Sequence, residues 1–145
     1  IKKIIHQEEL NAFIQQNNDY IGIEFLRNSF KHFNVSSEII NKEQLPENSR
    51  NIYVSNHPFG SFDGLHIIDM LYSKYHKAKA VVNDLLLNIK NLNDFFVGVN
   101  KHGKTPREQL EELNKLLESE LPVFFFPAGL VSRKRKGKII PGGVP

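Results

Sequence analysis

The sequence predicts an α/β fold: a largely parallel sheet with flanking helices, preceded by N-terminal helices. Three observations predict it. From residue 51 onward, short apolar, β-branched runs alternate with helical segments, the pattern of βαβ units joined by right-handed crossovers. Ahead of that alternation, Ile23, Leu26, Phe30 and Phe33 recur on one face of a helix. The 145 residues, 40% hydrophobic and 24% charged, suit one folded domain with a sizeable core.

Each element follows from a local signal. Ile4 to Gln16 reads as a first, weaker helix, and the Ile23–Phe33 stripe as a second. Asn41–Arg50 is polar, contains Pro46 and reads as a connection. Asn51–Ser55 is a buried strand, Ser61–Tyr75 a helix carrying Leu65, Ile68, Met70, Leu71 and Tyr72, and Ala80–Val82 a second strand. Asp84–Ile89 is a short helix and Phe95–Val99 a third strand. Thr105-Pro106-Arg107-Glu108 starts a helix, with a Thr cap, Pro in the first position and Glu in the capping box. Leu110, Leu113 and Leu117 give that helix its buried face, and Pro122–Phe126 is a fourth strand. The expected division is a helical segment over 1–45 and an α/β core over 46–145. The start at Ile1 instead of Met and the stop at Pro145 after a Gly-Gly pair suggest a fragment, and that core is expected to be incomplete.

Composition narrows the chemistry. The chain has no cysteine, which excludes disulfides, thiolate metal sites and a cysteine nucleophile. No apolar stretch approaches the roughly 20 residues of a membrane span, so membrane contact is expected to be peripheral. The formal charge of +3 is uneven. Residues 1–132 hold 14 basic and 16 acidic residues, and Arg133–Lys138 holds five basic residues and no acid.

In parallel sheets, sites gather beyond the carboxyl ends of strands. After the first strand comes Ser55-Asn56-His57-Pro58-Phe59-Gly60-Ser61-Phe62-Asp63-Gly64. An imidazole there can accept a proton from a hydroxyl, and a carboxylate on its other nitrogen would fix the tautomer. The same residues also fit a strand-end histidine and an aspartate facing a positive helix N-terminus. Gly60-Ser61-Phe62-Asp63-Gly64 misses the G-x-S-x-G spacing of a serine nucleophile, so Ser61 reads as a helix cap. After the third strand, Asn100-Lys101-His102-Gly103-Lys104 can meet an anionic head group. After the fourth, Pro127-Ala128-Gly129 bends the backbone and bares N–H groups, with Arg133 close behind, and Phe124–Phe126 can floor a pocket for an acyl chain.

Three blocks in this order, Ser55–Gly64, Val99–Gly103 and Phe125–Gly137, with Val82–Leu86 in support, resemble the glycerol-3-phosphate and lysophospholipid acyltransferase superfamily. The likeness is greatest to its bacterial hemolysin-like branch, related to ornithine-lipid O-acyltransferases. The resemblance implies direct acyl transfer from acyl-CoA or acyl carrier protein to a lysolipid hydroxyl in membrane lipid synthesis. It implies no bound cofactor and no metal. It makes His57 the general base and Asp63 its partner. Asn56, Gly60, Ser61, Asn100, Lys101, Pro127, Ala128, Gly129 and Arg133 become acceptor or substrate contacts. Two departures stand out. Five residues separate His57 from Asp63 where the wider family has four, and the hemolysin-like branch shares the longer spacing. Ala128 replaces the family's Glu, which widens the expected acceptor to a lysophospholipid or a lyso-aminolipid. The expected location is the cytoplasmic face of the bacterial inner membrane, on an anionic surface, with no nucleic acid as partner. The alternatives are a thioesterase or esterase on the same scaffold, and a non-enzymatic module gripping anionic membrane or nucleic acid through Arg133–Lys138.

Overall fold

The computed structural model describes residues 7–58, 60–100, 106–127, 133–135 and 138–140. Two helices come first, α1 (Gln7–Gln16) and α2 (Gly22–His32). The core then runs β1 (Ile52–Val54), α3 (Ser61–Tyr75), β2 (Lys79–Asn83), two consecutive 3-10 turns (Asp84–Asn88 and Lys90–Phe95), β3 (Phe96–Val99), α4 (Arg107–Glu118) and β4 (Val123–Phe125). A hairpin of β5 (Arg133–Arg135) and β6 (Lys138–Ile140) follows, paired antiparallel with Arg133 opposite Ile140.

The main sheet is parallel throughout, in the order β1-β4-β2-β3. The α3 crossover steps over β4 in one direction, and the α4 crossover steps back over β2 in the other. Two right-handed crossovers running in opposite directions place their helices on opposite faces. Strand alternation matches this. Ala80, Phe96 and Phe124 join the α3 side, with Ile68 and Leu71. Val97 and Val123 join Leu116 of α4 on the other side. Both faces are therefore apolar, which is why the strands read as continuous apolar runs.

Helices α1 and α2 extend the α3 layer. Phe13 of α1 and Phe25 and Leu26 of α2 are almost wholly buried in the α3-side core. The Phe13 ring packs against Phe25, His32 and Phe33, at centroid distances of 5.2, 4.9 and 5.4 Å. Buried Asn91 donates its side-chain amide to the carbonyls of Asn17 and Tyr20, tying the α1–α2 turn to the core. The Asn41–Arg50 connection is held by Lys74, which donates to the Leu45 carbonyl at 2.6 Å, and by Tyr75, which donates to the Pro46 carbonyl at 2.6 Å.

Four expectations need correction. β1 is an edge strand, with Ile52 58% and Val54 61% exposed, because α4 covers the other end of that face. On α4 the buried leucine is Leu116, whereas Leu110 and Leu117 are 48% and 40% exposed. The helix begins at Arg107. Pro106 takes an extended ψ of 149° and so stands at the cap, not in the first turn. The cap of α3 is Gly60, not Ser61: its φ of +91° and ψ of −143° suit glycine alone, and Ser61 is the first helical residue. The proposed Thr105 cap lies outside the described residues.

Candidate active site

His57 leaves β1 three residues past the strand's end, and Asp63 sits in the first turn of α3. The sharp turn at Gly60 folds the chain back between them, and the Asp63 N–H closes the turn on the Gly60 carbonyl at 3.1 Å. Among the described residues, chain neighbours apart, no atom lies within 4 Å of where a Gly60 Cβ would stand, so the demand for glycine there is conformational. The fold-back brings His57 Nδ1 to 3.1 Å from Asp63 Oδ2, with the two side chains only 17% and 14% exposed.

A carboxylate only accepts hydrogen bonds, so the shared proton belongs to Nδ1. That leaves the Nε2 lone pair of a neutral imidazole as the basic position. The ring plane is fixed from the other side by Phe126, just past β4, stacked at 4.0 Å and 17°. Phe126 in turn meets Phe124 edge-on at 5.5 Å.

His57 forms part of the wall of an apolar cavity of about 350 Å³. The sheet supplies Val82, Phe96 and Phe124, and α3 supplies Gly64, Leu65 and Ile68. The N-terminal helices supply Leu10, Phe13, Ile14 and Phe25, and Phe33 follows at the end of α2. The volume lies in the range of small-molecule sites, and the lining suits a hydrocarbon chain. Its exposed lining residues are Ser61, Leu10 and Leu86, which mark where it reaches the surface. Ser61 and Leu86 follow the carboxyl ends of β1 and β2, as expected for a parallel sheet.

One turn beyond Asp63 is a second histidine, His66. Its Nδ1 meets the Ser37 hydroxyl at 2.9 Å, its ring stacks on Phe30 at 4.1 Å, and its Nε2 is buried with no hydrogen-bond partner among the described residues. Burial lowers its pKa from the ordinary histidine value, against the opposing pull of Asp69 and Asp63. Burial likewise raises the Tyr53 phenol, with the Tyr75 hydroxyl at 2.8 Å adding to the effect.

The other sequence-predicted site residues are placed unevenly. Gly60 and Ser61 form the turn and the cavity rim. Asn56 is exposed, and its side-chain oxygen accepts from the Ser55 hydroxyl at 3.4 Å. Asn100 is half-buried after β3, and Pro127 is exposed after β4. Lys101, Ala128 and Gly129 lie outside the described residues, and Arg133 opens β5. Motif reading missed the contribution of α1 and α2 to the cavity. The signal was present in Phe13, Phe25 and Phe33, which motif reading did not tie to the site. Among the described residues no group of three or more His, Asp and Glu is placed to hold a metal ion. No helix among them is long and apolar enough to cross a membrane.

The fold thus sets a histidine–carboxylate pair at a strand exit of a parallel α/β sheet, on the wall of an apolar cavity. The chain belongs to the family described as Acyltransferase, whose sequence profile matches residues 1–142. That match takes in α1 and α2. Curated relatives agree with it. The chain is 36% identical over 140 residues to a lyso-glycine lipid O-acyltransferase of Bacteroides thetaiotaomicron, and 35% identical over 140 residues to one of Phocaeicola vulgatus. Each alignment takes in 96% of this chain and 52% or 50% of the relative, so the chain spans about half the length of these relatives. No solved structure matches.

Proposed function

We propose that the protein transfers a fatty acyl group from an acyl thioester, on coenzyme A or acyl carrier protein, to the hydroxyl of a lyso-aminolipid, with His57 as general base. The His57–Asp63 pair on the wall of the apolar cavity carries this reading. The relatives named for lyso-glycine lipid favour an amino-acid head group over glycerol phosphate, in keeping with Ala128 where the superfamily has an acid. The enzyme works at the cytoplasmic membrane surface, where such acceptors reside.

In the step itself, His57 Nε2 takes the proton from the acceptor hydroxyl as its oxygen attacks the thioester carbonyl. Asp63 stabilises the imidazolium that forms. Collapse of the tetrahedral intermediate breaks the carbon–sulfur bond, and the thiolate leaves with the proton held by His57. The products are an ester and a free thiol. The cavity holds an acyl chain with its reactive end at His57.

The test is product formation by mass spectrometry, with acyl-CoA and acyl carrier protein donors against a panel of lysolipids. His57→Ala is expected to lose about 10²–10⁴-fold in rate. Thiol release that ignores the acceptor would replace transfer with hydrolysis. Undiminished transfer by a folded His57→Ala protein would remove His57 from the mechanism.

A further inference from the structure

We propose that the cavity mouth is a lipid-docking rim, with Leu85 as its anchor in the bilayer and Leu86 and Leu10 at the point of entry. This rests on the acyl-transfer reading above and specifies where the membrane meets the protein.

The turn Asp84–Asn88 carries three successive leucines with three different environments. Leu87 turns inward, its Cδ1 only 2.6 Å from where a Gly98 Cβ would stand, so it fills space that glycine leaves. Leu86 is 38% exposed and lines the cavity. Leu85 is 72% exposed and takes no part in the cavity wall. The turn that holds Leu85 outward is well fixed. Asn83 Oδ1 accepts the Leu85 N–H at 2.9 Å, and Asn88 donates its side-chain amide to the Leu85 carbonyl at 2.9 Å. Leu10 of α1 is also 40% exposed and lines the same cavity.

An isolated exposed leucine needs no explanation. This one is the chain neighbour of Leu86, and Leu86 and Leu10 are the half-exposed leucines that line the cavity holding His57. A chain-bearing acceptor that leaves the bilayer through water exposes every methylene on the way. A mouth seated in the bilayer lets the chain pass from one apolar medium to the next. The charges on the rim elements are acidic at the start, Glu8 and Glu9 on α1 and Asp84 on the turn. Attraction at this rim is therefore apolar, and salt should not weaken it.

The test uses the full chain with vesicles of neutral phosphatidylcholine, read by co-sedimentation at low and high salt. The wild type is expected to partition to vesicles with little salt dependence. Leu85→Asp should weaken partition at least tenfold, and Leu85→Phe should retain it. Leu85 is 72% exposed, so Asp there removes no buried packing. Transfer to a short-chain lysolipid dissolved below its micelle concentration should be the same in Leu85→Asp and wild type, while transfer to vesicle-borne acceptor falls. Equal vesicle partition by Leu85→Asp and wild type would overturn the proposal. So would a loss of self-association in Leu85→Asp with vesicle binding unchanged, which would make the rim an interface between copies. Absence of transfer by the wild type to either acceptor would sink the acyl-transfer reading, and the partition comparison would still decide the rim.

Discussion

His57 can serve as a base only in the tautomer that leaves Nε2 free, and Asp63 imposes that tautomer by accepting from Nδ1 at 3.1 Å. Asp63→Asn keeps the shape but can offer an N–H to Nδ1 instead, reversing the tautomer. The expected outcome is a fall in kcat of roughly 10²-fold or more with unchanged circular dichroism. His66 shows the opposite role for an imidazole. Burial holds its folded pKa below the ordinary value of 6.5, so between those two values the unfolded chain binds more protons than the folded one. His66 thus favours folding fully above about pH 6.5, and that contribution is lost as pH falls toward its folded pKa. Urea midpoints should drop below pH 6.5 in the wild type. They should drop less in His66→Phe, which keeps a ring against Phe30 and has nothing to titrate. Equal pH dependence in the two proteins would contradict this. The pairing of His57 with Asp63 was visible as candidates six positions apart in sequence. The Gly60 cap was not, because whether serine or glycine takes the cap depends on the turn angle that brings His57 back, and local propensity favours serine.

At the scale of the element, most helices and strands were legible because their apolar periods are strong. The buried face of α4 was misread for a physical reason. Leu110, Leu113, Leu116 and Leu117 form overlapping stripes, and helical spacing alone does not choose between them. The sheet chooses: Leu116 packs against Val97 and Val123, and Leu110 and Leu117 flank that contact in solvent. Leu116→Ala should therefore cost about 2–5 kcal/mol of unfolding free energy in urea titrations. Leu110→Ala should stay within about 0.5–1 kcal/mol. Comparable losses at both positions would restore the simple periodic face. α1 is a similar case. Its pattern is weak because it buries little beyond Phe13, yet that one ring ties it to α2 and completes a cavity wall. Phe13→Ala should cost about 3–5 kcal/mol and enlarge the cavity, shifting acyl preference toward bulkier chains. Competition between acyl donors of graded length would show the shift.

At the scale of the whole molecule, strand order was beyond the sequence, because nothing local says that β4 inserts between β1 and β2. That insertion puts His57 and Phe126, which are 69 positions apart, ring against ring. Charge, by contrast, was legible at once. Of the five basic residues of Arg133–Lys138, Arg133, Lys134 and Arg135 fall on β5 and Lys138 on β6, downstream of a body with 14 basic and 16 acidic residues. If the protein sits on an anionic membrane, two different forces hold it, and they separate experimentally. The leucine rim should act on any bilayer and ignore salt. The hairpin should act only on anionic lipid and weaken as salt screens it. Changing Arg135, Lys136 and Lys138 together to Gln removes three charges, each worth about 1 kcal/mol near such a surface, or roughly 10²-fold in binding. That loss should appear on vesicles containing phosphatidylglycerol, vanish on neutral vesicles, and shrink at high salt, with urea stability unchanged. Unchanged binding to anionic vesicles would leave the hairpin a solvated loop and the leucine rim as the main contact with lipid.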